Sequence, residues 1–175
     1  MVELLSTSEG EPSSYPSLPA SVSTDAATAI EAATVWQRLE SWIAYRWQER
    51  TATWIVQGPG VWAAPLRPYS VDTSEVWNDT TQAWESVTLD AAPVGYELDA
   101  KVYRITATVG DTADPPEAVQ EAVRRLTEYL YQVQQDPAPG HTSVTDGDYS
   151  FDRSAGWAAR AIHYSGAADL LRGYR

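Results

Sequence analysis

The 175-residue chain has no cysteine, which excludes a disulfide framework and any thiolate metal site. It has no long apolar run either: no stretch approaches the roughly 18 residues that a membrane-spanning helix needs. Met1-Val2-Glu3-Leu4-Leu5 carries no basic segment of the kind that opens a secretory signal. The chain is therefore expected to be soluble and intracellular when made. Positive charge is scarce. Twelve Lys and Arg stand against 24 Asp and Glu, for a net charge of −12. That balance argues against wrapping nucleic-acid phosphates, which takes a basic patch. An acidic surface confers solubility, and it can also act as a non-stick wall past which DNA slides. The H-E-x-x-H, G-x-S-x-G, Walker A and dinucleotide-binding glycine patterns are all missing, and no internal repeat shows at any period.

What the chain does have is aromatic surface. Apolar residues make up 43% of the sequence, with eight Trp and ten Tyr. Each large aromatic buries about 150–250 Å², so this many either fill a small core or spill into interfaces, where Trp, Tyr and Arg concentrate. Residues 1–22 are Ser/Pro/Glu-rich, with Pro12, Pro16 and Pro19, and read as an extended leader without a core of its own. Ser23, Thr24 and Asp25 offer caps, and Thr28 with Glu31 has capping-box spacing. Ala32, Val35, Trp36, Leu39, Trp42, Ile43 and Trp47 then recur at three- and four-residue steps, predicting one long helix from Asp25 to Arg50.

From Thr51 the period shortens. Strands are predicted at Thr53–Val56, Val61–Trp62, Val71–Trp77, Ala83–Val87, Gly95–Leu98 and Val102–Val109, with turns at Gly58-Pro59-Gly60 and Asn78-Asp79-Thr80-Thr81. Pro65 and Pro68 keep their segment out of a sheet interior. A second helix is predicted from Glu117 to Gln135, capped by Asp114, with Pro115 and Pro116 in its first turn. Its stripe is Val119, Ala122, Val123, Leu126, Tyr129, Leu130 and Val133. A polar loop (136–155) and a short helix near Gly156–Tyr164 lead to a terminal arm, Ser165–Arg175.

Chemistry is sparse along this chain. His141 and His163 cannot build a metal site together at their spacing. Asp146-Gly147-Asp148 with Asp152 lacks the ligand spacing and bidentate Glu of a calcium loop. Capping accounts for Asp114 and Glu117 beside Asp111. Gly58-Pro59-Gly60 opens no helix and so is no phosphate cradle. No catalytic, metal or cofactor-binding residue is assigned, and no cofactor is expected. The arm is the exception: Leu170, Leu171 and Tyr174 are apolar at a chain end, where disorder is the default unless something ties the segment down. With Arg172 and Arg175 adding charge-assisted contacts, they form the candidate partner-binding set.

The order of these pieces resembles the head–tail connector (adaptor) proteins of long-tailed phages and of phage-derived gene transfer agents. The matching segments are the helix from Ala29 to Trp47 running into Thr51-Ala52-Thr53-Trp54, the proline-flanked Ala64–Val71, Tyr96-Glu97-Leu98-Asp99, the run Ile105–Val119 ending "TATVGDTADPPEAV", and "SGAADLLRGYR" at residues 165–175. The resemblance implies a structural virion or gene-transfer-agent protein at the head–tail junction. Such a protein forms a homo-oligomeric ring, usually twelve-fold, bound to the portal on one side and to stopper or tail-terminator proteins on the other. DNA passes through its channel without specific binding, and acidic residues are expected to outnumber basic ones on the inner wall. It implies no enzyme. The arm, with Leu170, Leu171, Arg172, Tyr174 and Arg175, is expected to leave the body and bind the portal.

The expected fold is α+β: two long amphipathic helices packed on a small, mostly antiparallel sheet, with an extended N-terminal leader (1–22), a connector domain (23–135) and a C-terminal docking arm (156–175). Trp36, Leu39, Ile43, Val123, Leu126 and Leu130 are its expected core. The competing expectation is a carbohydrate- or ligand-binding module in which Trp54, Trp62, Trp77 and Trp84 lie exposed on the sheet and stack on a ligand.

Overall fold

Two eight-residue runs alternate strictly between buried and more exposed side chains, and they pair with each other. Strands β2 (Arg50–Gln57) and β8 (Val102–Val109) run antiparallel from Arg50 opposite Val109 to Gln57 opposite Val102. That register turns Ala52, Trp54, Val56, Tyr103, Ile105, Ala107 and Val109 to one side, where all are buried. Thr53 and Thr106 meet on the other side through their hydroxyls at 3.2 Å. A one-residue slip would reverse every side chain of a strand, so burial fixes the pairing.

The computed structural model describes residues 1–135, 143–146, 149–152 and 160–175, the side chains of 143–152 excepted. The other strands are β1 (Glu3–Glu9), β3 (Gly60–Trp62), β4 (Tyr69–Asn78), β5 (Ala83–Ser86), β6 (Asp90–Ala91), β7 (Tyr96–Leu98), β9 (Ser143–Asp146) and β10 (Tyr149–Asp152). The helices are α1 (Thr24–Ala29), α2 (Ala32–Glu40), α3 (Glu117–Gln134), α4 (Ala161–Tyr164) and α5 (Ala167–Leu170).

The chain divides into two compact units. The first, residues 1–14 and 44–113, holds a five-stranded sheet of order β1-β2-β8-β4-β5 and a three-stranded sheet of order β3-β7-β6. The two sheets share one core, in which Trp62 and Leu98 of the smaller join Trp54 and Ile105 of the larger. Every ladder in it is antiparallel. The second unit, residues 15–43 and 114–175, holds α1–α5 and the paired strands β9 and β10. There α3 is the centre: α1, α2, α4 and α5 all pack on it. Its buried face is Val119, Ala122, Val123, Leu126 and Thr127. Ser23 ties α1 to it, its backbone N–H donating to Glu128 Oε1 at 2.7 Å and its hydroxyl to Oε2 at 3.0 Å.

This arrangement corrects the expected fold. In place of two long helices on a small sheet there are, among the described residues, five α-helices, of which only α2 and α3 exceed six residues, and an extensive antiparallel β unit. The predicted Asp25–Arg50 helix breaks twice. Ile30 turns extended at φ −115°, ψ 118°, and α2 stops at Glu40, before Trp42, Ile43 and Trp47. Residues 44–50 pass into the β unit, where Arg46 N–H bonds Arg67 C=O at 2.8 Å and Tyr45 forms a parallel bridge to Arg67. The apolar spacing marked buried residues correctly, for Trp36, Leu39, Ile43 and Trp47 are all buried, but two backbone conformations share it. Of the expected core only Leu130 is merely half-buried.

Three local readings also change. Asp114 does not cap α3; Pro116 holds that position with no side-chain cap, and Gln120 Nε2 donates to Pro115 O at 2.8 Å. Gly58-Pro59-Gly60 does turn the chain, but into the smaller sheet, not back along β2. Inside the predicted leader, Glu3–Glu9 is ordered as the edge strand β1 on β2.

Candidate functional site

The arm that the sequence singled out is a short helical hook. Gly166 makes its bend at φ +74°, a left-handed conformation that a Cβ would strain, and such a Cβ would sit 3.3 Å from Arg125 Nη1. The bend starts α5, whose Ala167 is fully buried in the helical unit, as is Leu171 just after it. Ile162 and Ala161 of α4 are buried as well. The arm therefore lies against α3 of its own unit instead of leaving the body. The five residues of the candidate set separate accordingly. Leu171 faces inward, Leu170 and Tyr174 are half-buried, and Arg172 and Arg175 are exposed.

Two charged contacts finish the hook. Arg172 Nη2 lies 3.1 Å from Asp169 Oδ1, with both side chains largely in water, so the pair contributes little. The Arg175 guanidinium sits 4.3 Å from the centre of the Trp42 ring, and the His163 ring meets the same indole edge-on at 4.8 Å. A cation over Trp is worth about 0.5–1 kcal/mol at an exposed site. Trp42 thus holds the end of the chain, a role no spacing rule announced. Chemically the hook offers two guanidinium groups and a tyrosine, which suits an acidic protein surface.

A second built feature lies in the β unit, and no sequence pattern pointed to it. The Glu9 carboxylate, at the end of β1, accepts from Arg46 Nε at 2.6 Å, Arg46 Nη2 at 3.0 Å and Arg50 Nη1 at 3.3 Å. Both guanidinium side chains are nearly buried, at 8% and 3% exposure. Burial by itself would raise the Glu9 carboxyl, but hydrogen bonds and charge from Arg46 and Arg50 outweigh it and hold it below the ordinary carboxylate value. On α3, hydrogen bonds from Arg124 and Arg125 hold half-buried Glu121 down to about 2.

The exposed tryptophan platform does not form. Trp54 is fully buried and Trp62 nearly so, their rings 5.6 Å apart in the core. Trp77 and Trp84 are half-buried, stacked edge-on at 5.2 Å, and Arg104 covers Trp84 at 4.7 Å while its Nε bonds Glu75 at 2.6 Å. Asp111 forms a local turn, accepting from Ala113 N–H at 3.1 Å. His141 and Asp148 lie outside the described residues, as do the side chains of Asp146 and Asp152. Among the described residues no group of three or more His, Asp or Glu is placed to hold a metal ion, and no helix is long and apolar enough to cross a membrane. No family model, curated protein or solved structure matches the chain.

Proposed function

We propose that the chain is a structural subunit of a phage or gene-transfer-agent neck, a ring that joins the portal to stopper or tail proteins around the DNA channel. The observation that carries this reading is the passage from Val102 to Gln134. There β8, Gly110, the acidic turn, Pro115-Pro116 and α3 follow one another at the positions where the sequence resembles head–tail connectors. The net charge of −12 supports a wall that DNA slides past without sticking.

In this reading Leu171 anchors the hook, and Leu170, Arg172, Tyr174 and Arg175 meet the portal. Weak contacts at each copy add up because the ring presents them together. The test is co-sedimentation of the full chain with its cognate portal ring. The parent chain should travel with the portal, and Arg172→Glu/Arg175→Glu should remain folded yet stay behind. Equal binding by both would overturn the assignment of the hook, and no binding by either would overturn the connector reading.

A further inference from the structure

Strand β1 and the five residues after it, 10–14, are cut off in sequence from the rest of the β unit. That remainder is the continuous run 44–113, and the intervening residues 15–43 belong to the helical unit. We propose that β1 is an exchangeable strand, which in the assembled ring completes the five-stranded sheet of a neighbouring copy of this chain. The inference rests on the ring reading above and names the joint between its copies.

The slot for β1 recognises little besides backbone. The ladder runs from Glu3 opposite Gln57 to Glu9 opposite Ala52, and Gly10 N–H extends it to Thr51 O at 2.8 Å. All seven β1 residues are exposed, the Glu9 side chain to 26%, so the strand can leave one sheet and join another, taking partly buried Val2 with it from the core. A specific contact in the slot is Glu9 with Arg46 and Arg50, and both arginines lie in the continuous 44–113 run. A strand from another copy brings the same carboxylate to the same pair. An exchange of identical elements keeps every contact and adds a link between copies, which makes it a low-cost route to assembly.

Two further observations favour the second copy as the occupant. Residues 10–14, which join β1 to the helical unit, are exposed but for half-buried Pro12 and span up to about 17 Å when extended, a tether on which β1 can swing to an adjacent subunit. Leu4 and Leu5 are adjacent, 52% and 48% exposed, on an edge strand. Exposed apolar edges invite pairing with another chain, and a neighbour's body covers them. In a closed ring each copy gives one strand and receives one, so no slot and no strand is left over.

The absence of cysteine makes the test clean. Ser8 and Thr53 are in register. Chains carrying Ser8→Cys alone are mixed with chains carrying Thr53→Cys alone, assembled on the portal, oxidised and run on a denaturing gel without reductant. Only exchange can join the two kinds of chain, and a two-chain band is expected from the ring. A single chain carrying both substitutions should give a ladder of covalent multimers. Glu3→Cys with Gln57→Cys, also in register and exposed at both positions, repeats the test should the first pair disturb folding. Rings of verified mass that yield only internally closed single chains would overturn the exchange and leave the ring standing. A chain that stays monomeric with its portal would overturn both.

Discussion

Leu171→Ala separates a hook packed in the body from a loose tail. Leu171 is fully buried, and fully burying a leucine is worth about 1.5–3 kcal/mol. Truncation to alanine keeps the Cβ but leaves a cavity beside α3, which raises the expected cost to about 2–5 kcal/mol. Leu170, one residue earlier, is only half-buried, so Leu170→Ala should cost under about 1 kcal/mol by the same area argument. The assay is urea denaturation followed by ellipticity at 222 nm, a signal that reports the helical unit because α1–α5 all belong to it. With a slope of about 1–3 kcal/mol per molar urea, Leu171→Ala should lower the midpoint by at least about 0.7 M. Midpoints for Leu171→Ala and the parent agreeing within about 0.2 M would refute the packed hook and return the arm to the free state.

Gly110→Ala should destabilise the β unit by about 1–3 kcal/mol, the cost of a strained backbone position. The residue sits at φ +91°, and a Cβ there would lie 2.5 Å from Gln48 O; an unchanged melting temperature would contradict this. Glu9→Gln removes the charge facing Arg46 and Arg50 and should lower the local stability of β1 by about 1–3 kcal/mol, read as faster amide exchange at Ser6 and Ser8 with β8 unchanged. The Glu9 and Glu121 carboxyls both titrate below the ordinary value of 4.5, so the stability they lend is present above pH 4.5 and lost as pH falls through the lowered values, near 2 for Glu121. Carboxyl NMR titration showing Glu121 at 4 or above would refute its pairing with Arg124 and Arg125.

The strongest sequence signals were those in which one element supplies its own period. The stripe of α3 and the alternation of β8 each come from one continuous face, and each formed within a residue or two of its predicted bounds. The long first helix failed for the complementary reason. Trp36, Leu39, Ile43 and Trp47 are all buried at helical spacing, yet Trp36 and Leu39 sit on α2, Ile43 lies beyond its end and Trp47 belongs to the β unit. Periodicity reports burial and only indirectly backbone. Strand β1 was invisible because its side chains are all exposed and its partner is some fifty residues away; nothing in Glu3–Glu9 alternates. The hook was found by its apolar residues at a chain end, but which leucine faces inward depends on the Gly166 bend, a matter of backbone that composition does not carry.

The central claim is that this chain assembles into a ring on a portal. Native mass measurement of the purified chain, alone and with its cognate portal, tests it most directly when read beside negative-stain images of the same sample. The account predicts a closed ring of many copies seated coaxially on the portal with an open channel. A folded chain that remains a single 19.2 kDa species at every concentration, with the portal present and unoccupied, would contradict it.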